Sequence, residues 1–134
     1  MNLNLKNNEL ILLSGSNNLK ISSDIPFSEN SIIFLSELSH LIFKKKDLKN
    51  FPEIISFAFW CRKENLIKMK NQYIDSLKFL TGRGLVFHLP PSNVPINFAY
   101  SFSLGLLTGN SNIIKIPSKK FLITNYLTNL ISEL

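Results

Sequence analysis

The sequence contains little cysteine and no long uninterrupted apolar run. One cysteine, Cys61, among 134 residues excludes an internal disulfide framework and any zinc site built from several cysteines. The longest apolar stretch, residues 98–107, is interrupted by two serines and a glycine, and it falls well short of the roughly 18 residues that a membrane helix needs. No charged N-terminal segment leads into an apolar region of the secretory type. We therefore expect a cytoplasmic protein without a membrane span.

Acidic residues are also scarce, and the net charge is +6. The lysines are dispersed apart from Lys44–Lys46, which is typical of a solvated surface but leaves open an anionic ligand such as a dinucleotide, coenzyme A or nucleic acid. The aromatic residues Phe57, Phe59 and Trp60 fall in an apolar run instead of alternating with basic residues, which favours core packing over stacking on bases. We therefore expect no nucleic-acid partner.

Histidine occurs only twice, at His40 and His88. These two residues and Cys61 do not have the spacing of zinc ligands, and no cluster of carboxylates is evident, so we predict no metal site. Cys61 falls on the apolar side of a predicted helix, which indicates a buried residue rather than a nucleophile. His88 falls inside a predicted strand, where a packed role is the simpler interpretation.

The first 81 residues predict two regions. Residues 1–25 hold two short apolar runs around Ser14–Asn18, which is rich in turn formers, and they predict a β-hairpin or an extended segment. Residues 26–81 form a helical region. Ser28 suits the N-cap of a first helix, and Pro52 suits the first turn of one long or two consecutive helices that end near residue 80.

Residues 82–134 alternate strand and helix. The near-continuous apolar run at 85–89 is typical of a strand buried on both faces, as in parallel sheets. A helix with Ser92 or Asn93 as its cap, a second strand at 112–116 and a last helix capped by Ser118 follow. This order predicts an α/β fold with a parallel β-α-β unit, and ligands in such sheets lie beyond the carboxyl ends of the strands.

The loops at those ends hold the candidate functional residues. Asn93 lies in the proline-rich segment 90–95, where a stiffly held amide is suited to stabilising an oxyanion; the alternative is that it only caps the next helix. Lys115, Ser118 and Lys119 combine cations with a helix start, which suits a ribose phosphate, although a lysine at a sheet edge also extends into water without a ligand. The glycine pair at 82–84 precedes a strand, so we interpret it as a turn.

Three segments together resemble the LuxC-type acyl-CoA reductases, a branch of the aldehyde dehydrogenase superfamily. They are residues 51–63, the Pro-x-Asn-x-Pro loop within 84–95, and residues 101–118, where a helix ends in Gly-Asn and a strand leads into Pro-Ser. The resemblance covers roughly residue 32 to the C-terminus. It implies that residues 82–134 are the start of a Rossmann-like, aldehyde-dehydrogenase-like nucleotide-binding domain, truncated after its second helix.

The resemblance also implies a reaction. The family reduces a long-chain fatty acyl-CoA to the aldehyde with release of CoA, using NADP(H) and a cysteine nucleophile, and Asn93 would donate to the oxyanion. The residues that would contact the cofactor are Pro91, Ser92, Lys115, Ser118 and Lys119. Lys119 stands where other aldehyde dehydrogenases have an acid after Pro-Ser, and loss of that acid is compatible with the 2′-phosphate of NADP.

The family's catalytic cysteine lies beyond the equivalent of Leu134. The resemblance therefore implies an N-terminal fragment that is inactive alone and associates with a companion polypeptide or with further copies of itself. Two alternatives remain open: a non-catalytic remnant or interaction module of the same fold, and a basic nucleic-acid-binding protein.

Overall fold

The computed structural model describes residues 11–16, 18–116, 119 and 121–134. The described part has mixed α/β structure with one short 3-10 helix at Lys46–Asn50. The other elements, in chain order, are α1 (Glu29–Lys44), α2 (Pro52–Trp60), α3 (Lys63–Leu77), β1 (Leu85–His88), α4 (Asn97–Leu107), β2 (Ser111–Ile114) and α5 (Leu122–Glu133). Among these helices, none has both the length and the apolar character that a bilayer span requires.

Helix α1 begins where the sequence predicts. The Oγ of Ser28 accepts a hydrogen bond from the Ser31 N–H at 3.4 Å, and Glu29 places an acid in the positively polarised first turn. The predicted helical region after Pro52 is two helices rather than one, because the chain turns at Cys61 and restarts after Arg62. Helices α1, α2 and α3 all lie within residues 26–81.

The core lies among the helices, with α1 at its centre. Leu35, Leu38 and Ile42 of α1 are fully buried, and Ser39 on the same helix donates its hydroxyl to the Ala58 carbonyl of α2 at 2.7 Å. The other large side chains that are fully buried are Leu48, Ile54, Phe57, Leu66, Leu107 and Leu127. Because burial of each such side chain contributes roughly 1.5–3 kcal/mol, this helical layer supplies most of the hydrophobic stabilisation.

The two strands form a parallel pair in which Leu85 lies opposite Ser111 and His88 opposite Ile114. This confirms the predicted parallel β-α-β unit, with both strands ending earlier than expected. The prediction that β1 is buried on both faces is wrong, since Phe87 is 58% exposed. Side chains alternate between the faces of a strand, and α4 lies against the face that carries His88, so Phe87 points away from that helix.

Both later helices begin without the caps that the sequence suggests. Ile96 occupies the N-cap position of α4 and makes no side-chain capping bond; the Asn97 N–H instead donates to the Val94 carbonyl at 3.2 Å. Phe121 occupies the N-cap position of α5. The predicted capping of α4 by Ser92 or Asn93 is therefore wrong, because a main-chain turn begins that helix. Ser118, the predicted cap of α5, lies outside the described residues.

The predicted hairpin lies partly outside the described residues, since residues 1–10 and 17 are not among them. Within the described part of this segment, Ser23 forms an isolated antiparallel bridge with Asn110. The Ser22 N–H donates to Ser111 Oγ at 3.1 Å, and that hydroxyl also contacts the Lys20 carbonyl. The segment therefore runs beside the start of β2, and the hairpin itself stays a prediction.

Candidate functional site

The loop that follows β1 contains the candidate oxyanion donor. Prolines at positions 90, 91 and 95 restrict its backbone, and a turn at residues 92–93 exposes Asn93 to solvent. The side chain of Asn93 makes no hydrogen bond to another described residue. An amide on such a proline-restricted backbone can donate to a charge that develops on a bound carbonyl oxygen.

A shallow recess lies beside this loop. Its lining residues are Pro90, Pro91, Ser92, Val94, Pro95, Phe98, Phe121 and Thr124. The loop and α4 supply one side, and the start of α5 supplies the other. Its enclosed volume of about 10 Å³ is far below the roughly 300–1,000 Å³ of a typical small-molecule site, so the recess is an open depression rather than a complete pocket.

Two candidate lysines lie after β2 and are exposed. The Nζ atom of Lys119 stands 5.0 Å from the centre of the Phe121 ring, and Phe121 lines the recess. The main-chain N–H of Lys115 donates to the His88 carbonyl at 3.1 Å, which joins the ends of the two strands. Ser118 lies outside the described residues. Pro91 and Ser92 thus line the recess, Lys119 lies beside its lining residue Phe121, and Lys115 follows β2.

His88 and Asn112 form a pair that the sequence did not indicate. His88 Nε2 lies 2.8 Å from Asn112 Oδ1, and the Asn112 amide donates to the Asn110 carbonyl at 2.8 Å. Gly105 of α4 passes directly over the pair, where a Cβ would collide with Asn112 Oδ1. The two side chains come from different strands and are 24 residues apart, so no local spacing could have revealed their contact.

Comparison with known proteins decides the family. Residues 19–134 match the family model described as acyl-CoA reductase (LuxC). This chain belongs to the LuxC acyl-CoA reductase family. Searches among curated proteins and solved structures give no match. Membership indicates fatty acyl-CoA reductase activity, an oxidoreductase function, and it confirms the resemblance carried by the Pro-x-Asn-x-Pro loop and the Gly-Asn helix end.

The glycine pair before β1 is structural in this LuxC-family chain. The Gly82 N–H donates to the Asp24 carbonyl at 2.9 Å, and the Arg83 N–H donates to Asn110 Oδ1 at 2.6 Å. A phosphate loop needs free main-chain N–H groups, and these two are already bonded. The interpretation of residues 82–84 as a turn agrees with this arrangement.

Cys61 is fully buried. Burial raises the pKa of its thiol to about 12, and the neighbouring Ser103 hydroxyl offsets only a smaller part of that shift. The contact falls short of a well-formed hydrogen bond, since Ser103 Oγ is buried without a partner in the described part of the chain. Burial and the adjacent Cys61 also raise the pKa of Tyr100. A thioester attack requires an accessible thiolate, and this thiol is neither accessible nor ionised at neutral pH.

The nucleic-acid-binding alternative receives no support from the geometry of the aromatic residues. Phe57 is fully buried and packs edge-on against Tyr100, while Arg62 covers the exposed Phe59 ring at 4.1 Å. These aromatics are therefore occupied within the fold instead of forming a platform for bases. No group of three or more potential metal ligands occurs in the ranges that the structure describes.

Proposed function

We propose that this chain is the N-terminal portion of a cytoplasmic, NADP-linked fatty acyl-CoA reductase and supplies one oxyanion donor and one wall of the cofactor site. The family match over residues 19–134 carries this proposal. The recess and the exposed Asn93 support it, because both lie at the carboxyl end of β1, where ligands of parallel α/β sheets bind. Further strands would complete an aldehyde-dehydrogenase-like domain.

The proposed organisation keeps three regions. Residues 1–25 are an N-terminal hairpin or extended segment, residues 26–81 are a helical layer, and residues 82–134 begin the nucleotide-binding domain. The helical layer supports residues 82–134, because Leu107 of α4 and Leu127 of α5 are fully buried in the same core as α1.

In the proposed reaction a thiolate attacks the acyl-CoA carbonyl carbon, the carbon–sulfur bond to CoA breaks, and CoA leaves. The carbonyl oxygen gains negative charge during this attack, and an N–H of Asn93 donates to it. NADPH, when bound, supplies the hydride for reduction of the acyl group to the aldehyde. The role of this chain's residues is thus to hold the carbonyl oxygen and to orient the cofactor.

The cofactor assignment rests on charge and shape. Pro91 and Ser92 line the recess, and Lys119 lies beside Phe121, which also lines it. An ammonium group at this position favours the 2′-phosphate of NADP(H), and Lys115 and Ser118 would contact the adenosine ribose. In this proposal the cofactor would lie across the recess, with its other side held by further elements.

The nucleophile in this proposal is a cysteine that this sequence does not contain. Cys61 is the single cysteine of this sequence, and it is fully buried in the core. We therefore propose that the chain alone does not turn over and that a companion polypeptide, or the rest of a longer chain, provides the thiol.

A second candidate function is a non-catalytic interaction module with the same fold. Phe79 is 95% exposed and Phe87 is 58% exposed, and large aromatic side chains in water favour association with a partner. This candidate predicts partner binding without any affinity for NADPH, so cofactor binding separates the two.

Incubation with a long-chain acyl-CoA, followed by mass spectrometry of the intact protein and assay of free CoA, tests the nucleophile assignment. We expect no acyl adduct and no CoA release, because the Cys61 thiol is buried and protonated. The Cys61→Ser variant is the matched control. An adduct that appears in the wild type and is lost in Cys61→Ser would show that Cys61 is the nucleophile.

In an assembly that does reduce acyl-CoA, the change Asn93→Ala should lower turnover about 10²-fold, which is the usual effect of removing one oxyanion donor. Asn97→Ala is the control, since Asn97 is a nearby amide in the first turn of α4. An Asn93→Ala variant that retains the wild-type rate would remove Asn93 from the mechanism.

A further inference from the structure

His88 lies at the junction of the two loops that form the candidate site. It is the last residue of β1 and directly precedes the loop that carries Asn93. Its carbonyl accepts the main-chain N–H of Lys115, the first residue after β2. One residue therefore connects the segment with the proposed oxyanion donor to the segment with the proposed cofactor lysines.

The His88 side chain makes a second connection to β2. His88 lies opposite Ile114 in the register, and Asn112 lies opposite Val86, so the 2.8 Å contact between His88 and Asn112 is diagonal. Diagonal neighbours on one sheet face are within reach of long or ring side chains. The main chain of His88 thus contacts the residue that follows β2, and its side chain contacts β2 itself. These two separate contacts restrain the end of β1 in translation and in rotation.

The orientation of the Asn112 amide determines which ring nitrogen carries the proton. Its Nδ2 donates to the Asn110 carbonyl, so the group that faces His88 is the Oδ1 acceptor. His88 must then donate from Nε2, since a neutral imidazole has one donor and one acceptor nitrogen. The pair therefore requires Nε2–H.

Helix α4 closes over the pair. A Cβ at Gly105 would collide with Asn112 Oδ1 and would lie 3.0 Å from His88 Nε2, so only glycine leaves room for both groups. Gly105 and Asn112 are thus placed to hold the imidazole between sheet and helix. An imidazole that only filled space would need neither a diagonal acceptor nor a glycine above it.

We propose that His88 is a positioning residue, which the Asn112 amide holds by its Nε2–H so that the Asn93 loop keeps a fixed place relative to Lys115. This inference rests on the proposed function, because it concerns the same site. His88 acts on that site through the backbone of the residues that follow it and does not touch the reacting atoms.

The test uses the full chain labelled with ¹⁵N. Main-chain order parameters of residues 92–94 and hydrogen exchange of the Lys115 N–H are compared in the wild type, His88→Ala and His88→Gln, with His40→Ala as control for an exposed histidine on α1. We expect His88→Ala to lower the loop order parameters and to accelerate Lys115 exchange about 10-fold or more. His88→Gln should restore both, since its amide nitrogen can occupy the place of Nε2.

If His88→Ala lowers only the thermal unfolding temperature and leaves the loop and Lys115 unchanged, the positioning role is refuted. Should that variant fail to fold, the imidazole ¹⁵N shifts of the wild type decide: a protonated Nε2 supports the pair, and a bare Nε2 overturns it. Failure of NADPH to bind the wild type would refute the proposed function while these measurements still report on His88.

Discussion

The Cys61 side chain lies in the core beside Ser103 of α4, out of contact with water. Its burial was predictable from sequence, because Cys61 falls on the apolar side of a helical pattern that continues through α2. Its neighbours were not predictable, since Ser103 comes from a helix that lies far along the chain. The consequence is a thiol whose ionisation is linked to folding.

The free energy of unfolding should therefore fall as the pH rises from about 9 to about 12. The folded thiol has a pKa near 12, whereas the unfolded thiol ionises near its ordinary value of 9.0, so the unfolded state binds fewer protons within this window. The difference between a pKa of 9.0 and one of about 12 corresponds to a loss on the order of 4 kcal/mol. Urea unfolding at several pH values measures it.

The Cys61→Ala variant controls for the tyrosines and lysines that titrate in the same range. Its stability is lower at neutral pH because a small cavity forms, but its dependence on pH between 9 and 12 should be shallower than that of the wild type. Equal slopes in the two proteins would contradict the burial of a protonated thiol.

Among single residues, positions relative to the strands were easier to predict than local geometry. Asn93 follows β1 as predicted, because strand and loop patterns are local. Lys115 was predicted inside a strand at 112–116 and instead follows β2, which ends at Ile114. The assignment of Asn93 as a possible helix cap is wrong, since α4 begins only at Asn97. The His88–Asn112 contact depends on strand register and on Gly105, which neither spacing nor composition encodes.

At the scale of elements, three chain segments meet closely before the sheet begins. The Asp24 N–H donates to the Gly109 carbonyl and the Gly82 N–H donates to the Asp24 carbonyl, each at 2.9 Å. Gly109 has φ of +78°, and a Cβ there would collide with the Asp24 carbonyl oxygen. The N-terminal segment, the turn before β1 and the end of α4 are thus joined through main-chain atoms that cannot move independently.

The change Gly109→Ala should destabilise the protein by about 3 kcal/mol or more, which sums the cost of positive φ and the displacement of a main-chain carbonyl. Gly15→Ala is a matched control, because Gly15 also has positive φ, at +93°, but has no atom within 4 Å of a built Cβ. That change should cost only about 1 kcal/mol. Urea midpoints give both values, and equal losses would exclude the close approach as the cause.

The strands show where sequence patterns are least informative. A continuous apolar run predicts a strand buried on both faces, and the parallel pairing it implied is confirmed. Phe87 is nevertheless mostly exposed, because burial of its face requires a second layer and α4 provides only the first. An apolar sequence indicates that a strand favours burial. Which elements cover the strand depends on the folded structure and is not encoded in that pattern.

For the whole molecule, the order of elements from Ser28 onward was predictable because amphipathic helices and apolar strands leave clear periodic signals. The Gly-Asn stop of α4 and the proline loop before it were also visible. The packing of α1 against the other helices was not predictable from the sequence. Side-chain periodicity indicates which face of a helix is buried but not which element packs against that face. The net charge of +6 suits an anionic ligand but does not locate it.

Titration of the ¹⁵N-labelled chain with NADPH and with NADH tests the central claim most directly. We predict saturable shifts at residues 92–94, Lys115, Lys119 and Phe121, with binding about 10-fold tighter for NADPH because Lys119 meets the 2′-phosphate. Lys119→Glu should abolish this preference, and Lys49→Glu, which changes an exposed lysine of the 3-10 helix, should retain it. Absence of shifts at these residues at millimolar NADPH, or an unchanged preference in Lys119→Glu, would contradict the account.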